Sequence, residues 1–84
     1  VSERDLRRWF GQKLITQVGT RGLALRGPEE TEGLPNAAVD ALDAQHIVRG
    51  DVRAGARWYE LAHDRLVTPI LDANRVWEDA RESR

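Results

Sequence analysis

The chain has 84 residues, 40% hydrophobic and 32% charged, a balance typical of one small globular domain and not of a disordered segment. Lys and Arg (13) nearly equal Asp and Glu (14), so the chain lacks the positive excess that attracts nucleic acid or anionic membranes. The absence of Cys excludes disulfides and thiolate chemistry.

No apolar run approaches the roughly 18 residues of a membrane span, and the first ten residues do not resemble a signal peptide. We therefore expect a cytoplasmic location and no membrane partner. The chain begins with Val1 and not with Met, and we expect it to be a piece of a larger protein.

Residues 2–16 are predicted to form the first helix. Ser2 is a suitable cap, and an acid three residues later, Asp5, favours a capping box. Gly11 either weakens the helix interior or marks close packing. The apolar face has helical spacing and comprises Leu6, Trp9, Phe10 and Leu14.

Glycines at both ends of "GTRGLALRG" and the alternation of Leu23 and Leu25 predict a short strand. The next segment, "PEETEGLP", is interpreted either as a short helical turn opened by Pro28 or as a loop. A second helix is predicted over 36–46, with Asn36 as its cap. Its expected apolar face comprises Ala38, Val39 and Leu42.

A β-hairpin is predicted to follow, with Gly50 and Gly55 supplying the turn or a bulge and residues 58–61 forming the returning strand. We then expect a short turn at 64–67 and a main helix capped by Thr68, with Pro69 as its first residue. Three aromatic residues are expected in the core, namely Trp58, Tyr59 and Trp77; the last could instead pack against a neighbouring domain.

This order of elements indicates an α+β, mostly helical fold. We expect residues 1–84 to form a single winged helix-turn-helix domain with a small antiparallel β-hairpin as its wing and an additional C-terminal helix. The direct passage from the second helix into a strand, "NAAVDALDAQHIVRG", is the best local support for this assignment.

The sequence predicts that this chain is not an enzyme by itself. Ser2 and Ser83 lie near the two ends, and the single lysine, Lys13, follows Gln12 and so lies outside any phosphate-loop motif. His46 and His63 lack the spacing of metal ligands, and we predict neither catalytic nor metal-binding residues. The acidic pairs Glu29/Glu30 and Asp40/Asp43 are interpreted as solvated faces.

DNA binding is the first alternative function for a winged helix. The helix that would enter the major groove carries Asp40 and Asp43 and no basic residue, which argues against it. Its possible base readers are Asn36, Gln45 and His46. A phosphate contact through the hairpin remains open, because the hairpin carries Asp51 against three arginines: Arg49, Arg53 and Arg57.

Residues 36–80, with "ALDAQHIVRGDVRAGARWYELAHDRLVTPILDANRVW" at their centre, resemble the winged-helix segment that follows the ATPase core in STAND proteins, the signal-transduction ATPases with numerous domains. Eukaryotic members carry methionine-histidine-aspartate where this chain has Ala62, His63 and Asp64. The resemblance implies that His63 senses the β-phosphate of bound ADP in the closed state and that Asp64 fixes its setting.

The resemblance also implies an intramolecular ATPase core as partner, ADP or ATP with Mg in the parent protein, possible self-association of that parent, and no cofactor in the isolated fragment. From its position alone, His63 is equally interpretable as a partly buried residue bonded to backbone, and His46 as a core-edge or surface residue. The Asp64 carboxylate is a candidate cap for the next turn. A third alternative is a protein-docking adaptor using segment 29–32 or helix 69–81.

Overall fold

The computed structural model describes residues 2–82 as an α+β fold, roughly half helical, with small antiparallel sheets. Helix α1 (Glu3–Trp9) passes directly into one π-helical turn (Phe10–Leu14). Ser2 caps α1 as predicted, because its hydroxyl accepts a hydrogen bond from the Asp5 amide at 3.1 Å. The further elements in chain order are β1 (Ala24–Leu25), β2 (Glu30–Thr31), β3 (Leu34–Pro35), α2 (Asn36–Ala44), β4 (Val48–Arg53), β5 (Ala56–Leu61), a 3-10 turn (Asp64–Leu66) and α3 (Val67–Glu82).

The main sheet has three antiparallel strands in the order β1-β5-β4. The predicted hairpin is formed by β4 and β5, and its turn residues Ala54 and Gly55 both have positive φ, as a type I′ turn requires. Gly50 supplies neither turn nor bulge, contrary to one expectation, since it pairs in regular register with Tyr59. The predicted strand in "GTRGLALRG" is confirmed as the short strand β1, beside β5.

Strands β2 and β3 form a second, two-stranded hairpin, so the expectation of a helical turn or loop in "PEETEGLP" was wrong. Its turn residues Glu32 and Gly33 have φ of 47° and 100°. Gly33 allows this left-handed backbone at little cost, which makes a two-residue hairpin turn possible.

Helix α2 follows β3 directly, and the prediction that Asn36 caps it was wrong. Asn36 is already the first helical residue, and its side chain turns back to the β2–β3 hairpin. Its amide group donates to Gly27 O at 3.0 Å, and its amide oxygen accepts from the buried Thr31 hydroxyl at 2.8 Å. These bonds satisfy a buried polar group, which outweighs a cap at this end of the helix.

Helix α3 begins at Val67, earlier than expected, so Thr68 is not its cap and Pro69 is not its first residue. Pro69 still lies in the first helical turn, where the missing amide proton breaks no intrahelical hydrogen bond. The side chain of Asn74 on α3 exchanges two 3.1 Å hydrogen bonds with Arg7. This contact brings α3 close to Gly11, in agreement with the close-packing interpretation of that glycine.

The core lies between the π-helical turn, α2, the start of α3 and one face of the main sheet. Tyr59 is buried as expected, whereas Trp58 and Trp77 are only half-buried, so their placement in the core was wrong. The indole of Trp9 donates a buried 2.9 Å hydrogen bond to Thr31 O, joining α1 to the small hairpin. The buried apolar residues are Trp9, Phe10, Leu14, Ile15, Ala24, Leu34, Val39, Val48, Tyr59, Leu61 and Val67.

Candidate functional site

His63 lies between the end of β5 and the 3-10 turn, as the sequence predicts. Its backbone is extended, with φ −142° and ψ 140°, and the preceding amide of Ala62 donates to Ile47 O at 2.9 Å. The main sheet therefore holds the chain up to the residue before His63. The side chains of both His63 and Asp64 are exposed, which rules out the interpretation of His63 as a partly buried residue.

Asp64 does not cap the 3-10 turn, contrary to one expectation, because the turn has no side-chain cap. Its carboxylate instead pairs with the Nε group of Arg21. A hydrogen bond between two charged groups is stronger than one from a neutral backbone amide. The Asp64 carboxylate therefore pairs with the Arg21 guanidinium and not with an amide of its own turn.

Arg21 is a member of this site that sequence reasoning missed. It lies between the π-helical turn and β1, and it also donates from Nη1 to Leu61 O at 3.1 Å. One half-buried guanidinium thus contacts both the end of β5 and the first residue of the 3-10 turn. The pairing of β1 with β5 brings Arg21 here, so a prediction of that strand order would have revealed it.

Two further arginines face the same junction. Arg49 on β4 makes two 3.0 Å contacts with Glu60 on β5, through Nε and Nη2. Arg65 follows Asp64 in the 3-10 turn, is exposed, and makes no ion pair with residues 2–82. With His63 these side chains surround an open hollow of about 440 Å³, lined by Arg21, Arg49, Ala62, His63, Asp64 and Arg65.

The hollow has a net positive charge. Three guanidinium groups stand against two carboxylates, those of Glu60 and Asp64, even when His63 is neutral. A guanidinium has five N–H donors, and neither Arg21 nor Arg49 uses all of its donors on its carboxylate partner. Spare donors and positive charge are what phosphate oxygens bind, so these residues suit the phosphate contact that was predicted for His63.

Two of the hairpin arginines considered for DNA contact have acidic neighbours. Arg53 contacts Asp51 at 3.2 Å, and Arg57 donates to the Tyr59 hydroxyl at 3.1 Å and lies 4.0 Å from Asp43. Because each of these arginines lies beside a carboxylate, this face carries no positive excess that would attract a phosphate backbone.

Asp40 on α2 receives a 2.8 Å hydrogen bond from Arg26, which also donates to the Tyr59 hydroxyl at 2.8 Å. This hydrogen bond from Arg26 lowers the pKa of Asp40 below its usual 3.8, and the same bond is the main reason the pKa of Arg26 is raised. The pair fixes α2 to the sheet. His46 is exposed at the end of α2 with φ 61°, in the left-handed conformation common at helix ends, and lies outside the hollow.

Trp77 lies on α3 between the guanidinium groups of Arg7 and Arg81, at 5.6 and 4.7 Å from the ring centre. It borders an open apolar groove lined by Arg7, Asp72, Ala73, Val76, Trp77 and Ala80. This groove belongs to the predicted docking helix 69–81 and does not touch the His63 hollow.

Among residues 2–82, no helix is long and apolar enough to cross a bilayer, and no three His, Cys, Asp or Glu side chains are grouped as metal ligands. Comparison of the chain with protein-family models, with curated proteins and with solved structures gives no match.

Proposed function

We propose that this chain is a non-catalytic regulatory winged-helix module of a STAND ATPase, acting in the cytoplasm as part of a longer protein. The module docks on the nucleotide-binding core and senses bound ADP through His63. The observation that carries the proposal is the exposed His63 side chain at the exit of β5, facing an arginine-lined hollow.

The arrangement of elements supports the winged-helix assignment. The β4–β5 hairpin follows α2 directly, as a wing follows its helix, and β1 completes the sheet beside β5. The β2–β3 hairpin takes the place of the first helix of a helix-turn-helix, so we propose a winged helix in which that helix is replaced.

The chemistry of the proposed contact is simple. An imidazole N–H donates to an oxygen of the β-phosphate, and Asp64, held by Arg21, keeps the junction in place. A hydrogen bond to a charged group contributes roughly 1.5–3 kcal/mol, or about 10–150-fold in an equilibrium. Mg is held by the ATPase core in this proposal, because Asp64, the carboxylate in the lining of the hollow, is already paired with Arg21.

The test is the rate of ADP dissociation from the longer protein carrying His63→Ala. We expect dissociation to accelerate by roughly 10-fold or more, the loss of one charge-assisted hydrogen bond. His46→Ala is the matched control, since His46 is also exposed and lies outside the hollow. Equal ADP dissociation in the two variants would overturn the sensor role.

The protein-docking adaptor is the second candidate, and the apolar groove beside Trp77 favours it. Val76 in this groove is 66% exposed, so a partner helix or a neighbouring domain would bury apolar surface there. Replacing Val76 by Glu distinguishes the two functions. Loss of partner or domain association with unchanged ADP dissociation supports the adaptor, whereas unchanged association would remove the groove as a docking surface.

A further inference from the structure

The hollow beside His63 has more cationic donors than a single histidine contact needs. Arg49 and Arg65 approach it from two different elements, the strand β4 and the 3-10 turn. Neither arginine belongs to the His-Asp motif, and one histidine contact does not explain either of them.

Two of the three arginines are held in place. Arg21 is fixed by Asp64 and by Leu61 O, and Arg49 by its two contacts with Glu60. Glu60 is only 12% exposed, so the carboxylate that orients Arg49 is itself held by its surroundings. Fixed guanidinium groups lose little side-chain entropy when an anion binds.

Arg65 adds a third guanidinium group to the two that are held. It is exposed and makes no ion pair with residues 2–82. The hollow therefore combines two guanidinium groups held by carboxylates with a third that has no carboxylate partner among the described residues.

We infer that this hollow is an oligophosphate-binding site in its own right, in which Arg49 and Arg65 bind the diphosphate group together with His63 while Arg21 positions the junction. The inference rests on the proposed function for the role of His63, and extends it from one hydrogen bond to a site with intrinsic affinity for diphosphate.

The residues that line the hollow also predict that it does not recognise the nucleobase. Its six residues include no aromatic ring other than His63 and no apolar residue larger than Ala62, so the hollow has no hydrophobic pocket that could enclose a nucleobase. The module therefore reads the phosphates, and pyrophosphate and ADP should bind about equally well, whereas AMP, with one phosphate, should bind about tenfold more weakly.

The experiment is a titration of the 84-residue chain with pyrophosphate, ADP and AMP at low salt without Mg, followed by the NMR signals of the His63 ring and of the arginine Nε–H groups. We expect His63, Arg49 and Arg65 to shift together with a dissociation constant on the order of 1 mM, the strength of a few exposed charge-assisted hydrogen bonds. Arg49→Gln with Arg65→Gln should weaken pyrophosphate binding at least about tenfold.

Arg53→Gln is the matched control, because Arg53 lies on the same strand as Arg49 but pairs with Asp51 outside the hollow. Unchanged pyrophosphate binding in the double variant, or signals of Arg53 shifting as much as those of Arg49, would overturn the inference. That outcome leaves the ADP dissociation test of His63→Ala to decide the proposed function separately, since that test needs only the histidine contact.

Discussion

The guanidinium of Arg21 pairs with the carboxylate of Asp64 and donates a second hydrogen bond to Leu61 O. Through these contacts the segment before β1 is fastened to the junction that carries His63. The pair explains why Asp64 does not cap its own turn, and it gives His63 a fixed setting although the histidine itself is exposed.

Replacing Arg21 by Gln should release the junction. We expect the free energy of unfolding to fall by about 1 kcal/mol, because one part-buried hydrogen bond and one half-exposed ion pair are lost. Amide hydrogen exchange at Ala62 and Leu66, whose amides donate to Ile47 O and His63 O, should accelerate in the same variant. Arg75→Gln removes a solvent-exposed pair with Asp72 and should cost less than about 0.5 kcal/mol. Equal losses in both variants would show that Arg21 does not fix the junction.

The indole of Trp9 should contribute more to the free energy of unfolding than the indole of Trp77. Trp9→Phe removes the indole hydrogen bond to the carbonyl of Thr31 and some core volume, so we expect a loss of about 2–3 kcal/mol in urea unfolding. Trp77 is half-buried between two arginines, and Trp77→Phe should cost at most about 1 kcal/mol. The reverse order would contradict the core described above.

The Arg26–Asp40 pair predicts a pH dependence of stability. Folding lowers the pKa of Asp40, so the ionised carboxylate contributes stability above its unfolded value of 3.8, and this contribution is lost as the pH falls through the lower folded value. Asp40→Asn removes the contribution. The difference in unfolding free energy between the parent chain and Asp40→Asn should therefore be largest near neutral pH and shrink below 3.8. A difference that stays constant with pH would contradict the pairing.

Gly22 and Gly50 should respond differently to the same substitution. An added Cβ would stand 2.8 Å from the backbone oxygen of Lys13 at Gly22, and 2.8 Å from the guanidinium of Arg57 at Gly50. A backbone oxygen cannot move away, so Gly22→Ala should cost about 1–3 kcal/mol. The Arg57 side chain can move, and Gly50→Ala should be close to neutral, since Ala is favoured over Gly inside a strand by about 0.5–1 kcal/mol. Thermal unfolding of the two variants measures the contrast.

Local patterns in the sequence predict much of this fold. Ser2 is recognised as a cap because its partner Asp5 lies three residues away, and the β4–β5 hairpin is recognised from the glycine in its turn. The position of His63 between a strand and a helical turn is also predicted, because both neighbouring elements are local, whereas its exposure was left open.

The features that sequence reasoning missed depend on contacts between distant residues. Asn36 is a good cap by residue type, but its side chain hydrogen-bonds to Thr31 and Gly27 instead. These bonds depend on the β2–β3 hairpin, which the sequence "PEETEGLP" did not suggest. Arg21 joins the site only through the pairing of β1 with β5, and no spacing in the sequence marks it. Arg49 was considered only for a DNA contact on the hairpin, and its position beside His63 follows from the pairing of β4 with β5.

We propose that His63 faces nucleotide across a domain boundary, and chemical modification of histidine reports on this contact. His46 and His63 are both exposed in the 84-residue chain, so diethyl pyrocarbonate should modify both. In the longer protein with bound ADP, we predict that His63 is protected while His46 reacts as before, and that exchange to ATP restores the reactivity of His63. Equal modification of the two histidines in the ADP-bound protein would show that His63 does not face the nucleotide.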